Sequence, residues 1–161
     1  MWKRDKKTPA TRDRGGRIAL HYAAVDARGA VGVDRVRELL AQGQDPNDRD
    51  YAGFTPLHGS AQFDSVETVR ALLDAGAAVN AVDDQGNTAL EYAVRSPWTT
   101  PQVVQLLRDR GGDPTIANHL GQTPLGRVAA VDNKPLIRAV FADLLGGPNA
   151  GSTTPPGNSH Q

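Results

Sequence analysis

Side chains able to do covalent or metal chemistry are few in this chain and scattered. His21 and His58 stand at the same place in a recurring phrase, while His119 and His160 lie elsewhere. A zinc site needs three or four converging His, Cys or carboxylate ligands, and the 161 residues hold no cysteine and no His-Glu-x-x-His spacing. No metal centre, cofactor or catalytic residue is therefore predicted. The run Asp45-Pro46-Asn47-Asp48-Arg49-Asp50 has the oxygen density of a calcium loop. Arg49 and Asp50, however, occupy the positions that need an oxygen ligand and a glycine, and Pro56 falls where the terminal glutamate belongs. Turn chemistry accounts for the run better. A Gly-x-x-x-x-Gly-Lys-Ser/Thr phosphate loop and a Gly-x-Ser-x-Gly elbow are both absent from the sequence. The chemistry left to such a chain is recognition, by aromatic and charged side chains on a scaffold.

That scaffold is announced by repetition. The phrases are Gly16-Arg17-Ile18-Ala19-Leu20-His21, Gly53-Phe54-Thr55-Pro56-Leu57-His58, Gly86-Asn87-Thr88-Ala89-Leu90-Glu91 and Gly121-Gln122-Thr123-Pro124-Leu125-Gly126. Their leucines at 20, 57, 90 and 125 are 37, 33 and 35 residues apart, periods that signify stacked supersecondary units. Each phrase predicts a short helix followed by a second, amphipathic one. In the second unit Thr55 is placed to cap and Pro56 suits the first helical position. Asp64-Ser65-Val66-Glu67 has capping-box spacing, and Val66, Val69, Leu72 and Leu73 follow at helical intervals before Gly76. Val36, Leu39 and Leu40 before Gly43, and Val103, Val104, Leu106 and Leu107 before Gly111, repeat that pattern. From each of these glycines to the next phrase glycine the distance is always 10 residues. The variable length lies around residues 28–33 and 96–100, which are expected in loops between the paired helices.

The phrases, together with Gly43-Gln44-Asp45-Pro46-Asn47, Gly76-Ala77-Ala78-Val79-Asn80 and Gly111-Gly112-Asp113-Pro114-Thr115, closely resemble the ankyrin repeat. That resemblance implies an all-α repeat fold, a solenoid of about four helix-turn-helix units joined by β-hairpin loops. The units are expected at about 13–47, 48–80, 81–115 and 116–145. A basic disordered arm over 1–12 precedes them, and a disordered Gly/Pro/Ser/Thr tail over 146–161 follows. In this family the phrase histidine bonds the phrase threonine and nearby backbone, which makes His21 and His58 structural. Ile18-Ala19 in place of Thr-Pro removes a cap worth about 1 kcal/mol and marks the first unit as a terminal cap. Glu91 replaces His in the third unit, where Thr88-Ala89-Leu90-Glu91 has capping-box spacing. The fourth unit, with Gly126 and an irregular second helix around 135–145, closes the stack.

In proteins with this repeat, partner contacts come from the hairpin tips and the first helices, which line a concave face. Carried over residue by residue, those slots hold Arg14, Arg17, Val25 and Asp26 in the first unit, and Tyr51, Phe54, Gln62 and Phe63 in the second. The third supplies Asp83, Asp84, Gln85, Asn87 and Arg95, with Trp98 in the inserted loop, and the fourth His119, Leu120 and Gln122. Tyr51, Phe54 and Phe63 fall where the framework needs no aromatic ring, which marks them as contact residues; packing of Phe54 and Phe63 against the neighbouring unit is the competing reading. The resemblance implies a non-enzymatic protein–protein interaction module. In a sharper form it implies an immunity or antitoxin-like, or regulatory, bacterial protein.

Charge refines the partner. The formal net charge is zero, yet the first 17 residues hold seven basic and two acidic side chains, leaving the remainder acidic. A partner with a basic surface is expected. The alternative is a nucleic-acid-associated protein using the basic arm, a reading opposed by the repulsion between phosphate and the acidic remainder. Residues 1–17 contain no apolar signal-peptide core, and no run of about 18 apolar residues could span a membrane. The expectation is a cytoplasmic protein that is monomeric when free.

Overall fold

A computed structural model describes residues 11–26, 30–131 and 133–146. Most of the basic arm, part of the loop expected at 28–33, and the tail beyond Gly146 lie outside these residues. Among those described, helices alternate with tight loops in four units. α1 (Ala19–Val25) pairs with α2 (Ala30–Ala41), α3 (Pro56–Gln62) with α4 (Val66–Asp74), and α5 (Ala89–Arg95) with α6 (Pro101–Asp109). α7 (Pro124–Ala130) pairs with α8 (Pro135–Val140), which is followed by α9 (Ala142–Leu145). The first helices α1, α3, α5 and α7 pack in sequence as one row, and α2, α4, α6 and α8 as a second.

Helices of seven to twelve residues are marginal by themselves, so burial between units must hold them. Leu20, Leu57 and Leu90 lie in register along the first row and are at most 1% exposed; Leu125, at the open end, is half-buried. Val36 with Leu39, Val69 with Leu72, and Val103 with Leu107 fill the second row. Each such side chain contributes roughly 1.5–3 kcal/mol when fully buried. The apolar spacing along the sequence is therefore the spacing of the core.

Helix ends follow local chemistry. The Gly76 N–H bonds the Leu73 carbonyl at 3.1 Å and the Ala77 N–H the Leu72 carbonyl at 2.9 Å, a pattern that Gly43 and Gly111 repeat. Gly76 adopts φ +90° there, a conformation that a Cβ disfavours. Thr88 Oγ1 accepts from the Glu91 N–H at 3.2 Å and Thr123 Oγ1 from the Gly126 N–H at 3.0 Å. In the second unit His58 Nδ1 accepts from the Thr55 N–H at 3.1 Å and lies 2.8 Å from the Thr55 hydroxyl.

Four expectations need correction. Ala30–Val33 is helical, so the extra residues of the first unit lengthen α2 to 12 residues in place of the 9 of α4; buried Val33 gives this added turn an apolar anchor. Asp64 does not cap α4, whose N-cap is Ser65. Asp64 takes φ +58°, and its Oδ1 accepts from the N–H and hydroxyl of Thr100 at 2.9 and 3.0 Å, a bridge to the start of α6. Glu91 does not fold back on Thr88; it accepts from Arg127 Nε in the next unit at 2.7 Å. The second helix of the fourth unit is irregular as expected: it breaks at Phe141, which is fully buried under the Arg108 guanidinium, 5.0 Å from its ring centre. The expected hairpins are equally reduced: among the described residues no strand forms, and only Val82 and Thr88 make an isolated bridge.

Candidate functional site

Loop tips are built from one residue, repeated. Asp13, Asp50, Asp83 and Asn118 each use a single side-chain oxygen to accept the backbone N–H groups two and four residues ahead, at 2.8–3.0 Å. This Asx turn closes the loop, and two further backbone bonds tighten each, as from the Asp50 N–H to the Phe54 carbonyl at 2.9 Å and from the Gly53 N–H to the Asp50 carbonyl at 3.0 Å. Successive tips are then tied together. The N–H groups of Tyr51, Asp84 and His119 donate to the carbonyls of Gly15, Ala52 and Gln85 at 2.9–3.0 Å. At Gly86, φ +82°, an added Cβ would sit 3.0 Å from Asn118 Cα, so this rung requires glycine.

Below the tips runs a second set of ties. His21 Nε2 lies 3.0 Å from the Phe54 carbonyl and His58 Nε2 3.0 Å from the Asn87 carbonyl. Because His58 Nδ1 accepts from Thr55, its Nε2 carries the proton and donates. Burial pushes the His58 imidazole below its ordinary value, which keeps it neutral. The third tie is ionic, Glu91 to Arg127, and the buried Glu91 Oε2 has no hydrogen-bond partner among the described residues. Asn47 and Asn80 tie the helix ends, each donating to the carbonyl of the next unit's terminal glycine at 2.9 Å.

The expected contact residues divide accordingly. Asp83 and Asn87 belong to the framework: both are buried, and Asn87 Oδ1 accepts from Asn118 Nδ2 at 2.9 Å. Asp83 also accepts from the Tyr92 hydroxyl at 2.7 Å. Burial raises the Asp83 carboxyl, but that bond and those from Asn87 and Gln85 outweigh it, and the net shift is downward. Phe54 is half-buried, stacked 5.2 Å from the His58 ring and meeting the edge of Tyr92 at 5.2 Å in the next unit, so it packs between neighbours. Gln122, though exposed, accepts from Arg127 Nη2 at 2.9 Å.

The remaining residues form two surfaces. On the tips, Tyr51 is 73% and Leu120 80% exposed, and Asp84, Gln85 and His119 stand beside them. At the far ends of α3 and α5, Gln62, Phe63, Arg95 and Trp98 line one cleft of about 200 Å³ with Tyr92, Ser96 and Pro97. Trp98 is 72% exposed, and its loop is held by its own N–H to Ser96 Oγ at 3.2 Å. Lys134, which the sequence reading missed, donates to the Val94 and Ser96 carbonyls at 3.0 and 2.6 Å and fixes the same loop; no phrase marks it, since it lies outside the repeated pattern.

Among the described residues no group of His, Asp and Glu side chains could hold a metal ion, and no helix is long and apolar enough to cross a membrane. A family model described as ankyrin repeats, in three copies, matches residues 20–118. The chain belongs to the ankyrin-repeat family, whose members are generally protein–protein interaction modules without enzymatic activity. It is 35% identical over 105 residues to SH3 and multiple ankyrin repeat domains protein 2 of Homo sapiens, covering 64% of this chain and 6% of that protein. Over 111 residues it is 35% identical to the Neurogenic locus Notch protein of Drosophila melanogaster, covering 68% and 4%. To protein phosphatase 1 regulatory subunit 12A of Mus musculus it is 40% identical over 81 residues, covering 50% and 7%. The chain thus spans less than a tenth of each of these relatives.

Proposed function

We propose that this chain acts by binding another protein, without catalysis of its own, through its hairpin tips and the cleft at the ends of α3 and α5. The observation that carries this reading is the exposure of Tyr51, Trp98 and Leu120 on loops whose backbones are locked. An exposed large apolar side chain on a rigid support loses little conformational entropy on binding and removes much apolar surface from water. One relative is by name a regulatory subunit, and regulation by capture of a partner fits a chain of this kind. In this reading the free chain is a cytoplasmic monomer.

Several charged side chains serve the fold itself. Part of the acidic remainder is engaged internally: Asp50 and Asp83 close tips, Asp64 holds Thr100, and Glu91 holds Arg127. A partner chosen for its basic surface, and an antitoxin-like role with it, would depend on the acidic side chains that stay exposed; the broader regulatory reading stands without either. The nucleic-acid reading weakens. Arg12 is bound bidentately to Asp48 at 2.6 and 2.9 Å, and Arg17 to Asp50 at 3.0 Å, so two of the seven cations in the first 17 residues belong to the fold.

Affinity purification with tagged full-length chain, followed by reconstitution with the purified partner, tests the proposal. A stable protein complex that Tyr51→Ala combined with Leu120→Ala weakens, at unchanged helix content, is the expected result. Recovery of no stable protein partner would refute it.

A further inference from the structure

Arg95 stands where two clefts meet. On one side lies the aromatic cleft already described, with Phe63, Trp98 and Pro97 in its wall. On the other is a second cleft of about 200 Å³, bounded by Arg95, Arg127 and Lys134 with Val94, Val128 and Val131. Three cations line the pair, and among the described residues neither cleft has an aspartate or glutamate in its wall.

Each cation keeps capacity for a ligand. The Arg95 guanidinium lies 5.5 Å from the centre of the Tyr92 ring and has no carboxylate partner among the described residues. Arg127 uses Nε and Nη2 on Glu91 and Gln122, leaving Nη1. Lys134 uses two of its three N–H donors on backbone carbonyls. Burial also pushes the Lys134 amine down, the signature of a cation short of compensating negative charge. A carboxylate entering here would gain from all three cations, whereas a lysine or arginine would be repelled.

Resting on the binding function proposed above, we propose that this double cleft takes an acidic segment of the partner protein bearing one aromatic or large aliphatic side chain. The apolar group lies against Phe63 and Trp98, and the carboxylates face Arg95, Arg127 and Lys134. The partner chemistry is thereby the reverse of the basic surface that net charge alone suggests. Local charge decides, because exposed charges farther away than about 10 Å are largely screened at 0.1 M salt.

The experiment uses the full chain with Trp2 replaced by Phe, so that Trp98 is the one fluorescent tryptophan. Two blocked peptides serve as probes: one carries a Phe among Glu residues, the other has Lys in place of every Glu. The acidic peptide is expected to shift Trp98 emission saturably, with an affinity that falls as salt rises. Arg95→Glu is expected to weaken it by about tenfold or more. Among the described residues Arg95 makes only a ring contact, and as the last residue of α5 its reversal to Glu costs up to about 1 kcal/mol against the helix dipole, so this variant should melt within about 4 °C of wild type; Trp98→Ala, monitored by calorimetry, gives a second reading free of the charge change. Tighter binding of the Lys peptide, equal binding of both, or no response to either overturns the inference. A native partner captured through Tyr51 and Leu120 while neither peptide perturbs Trp98 would leave the binding function standing and the acidic-segment inference refuted.

Discussion

Replacing Arg127 by Leu isolates the ionic tie that takes the place of a histidine tie in the third unit. Glu91 is 1% exposed, its Oε1 accepts from Arg127 Nε at 2.7 Å, and its Oε2 has no partner among the described residues. Removing the cation leaves a carboxylate in the core without its hydrogen-bonded ion-pair partner. Breaking a buried pair from one side costs about 3–5 kcal/mol. The Arg127 side chain is itself 29% exposed, so water reaches the vacated position and the lower end, about 3 kcal/mol, applies. For a domain of this size that loss lowers Tm by roughly 6–12 °C. Urea and thermal unfolding measure it, and a double-mutant cycle with Glu91→Leu assigns it. The doubly substituted protein should recover most of the stability, because an apolar pair buries no uncompensated charge. If Arg127→Leu alone stays within about 0.5 kcal/mol of wild type, the range of ordinary surface changes, the argument that this pair stands in for a histidine tie is wrong.

Other tests follow from the same framework. His58 is held neutral by burial below its ordinary value of 6.5. The unfolded chain takes up a proton that the folded imidazole refuses, so stability should fall as pH drops below about 6.5 and level off once the folded imidazole titrates. NMR titration and denaturation across this range check it, and a His58 titrating at or above 6.5 refutes it. Tyr92 is pushed up to about 12 by burial and by its bond to Asp83. Asp83→Asn should lower that value in an ultraviolet titration while preserving the loop, since Asn118 closes the fourth tip with the same two backbone bonds. Leu72→Ala, at a fully buried site in mid-stack, should cost about 2–5 kcal/mol by urea unfolding. Gly76→Ala should cost about 1–2 kcal/mol, because φ is +90° there and nothing lies within 4 Å of the added Cβ to compensate.

The order of elements, the two rows of helices, the core leucines and the turn glycines were legible in the sequence, because each depends on residues within a few positions of one another. Gly76 ends α4 by its own backbone conformation, Thr88 and Thr123 cap by reaching three residues ahead, and the period of Val69 and Leu72 is that of a helix. Tertiary structure alone decided which polar and aromatic residues remain available for binding. Asp83 and Asn87 read as tip residues and prove to be buried, Phe54 is engaged by Tyr92 of the following unit, and Asp64 reaches across to Thr100. Asp83 is engaged by Tyr92, nine positions on; the other outcomes turn on residues some 30 to 40 positions distant along the chain, brought within a few ångströms by stacking. Local sequence fixes backbone conformation through short-range sterics and hydrogen bonds; the accessibility of a charge or ring depends on what the next unit places against it.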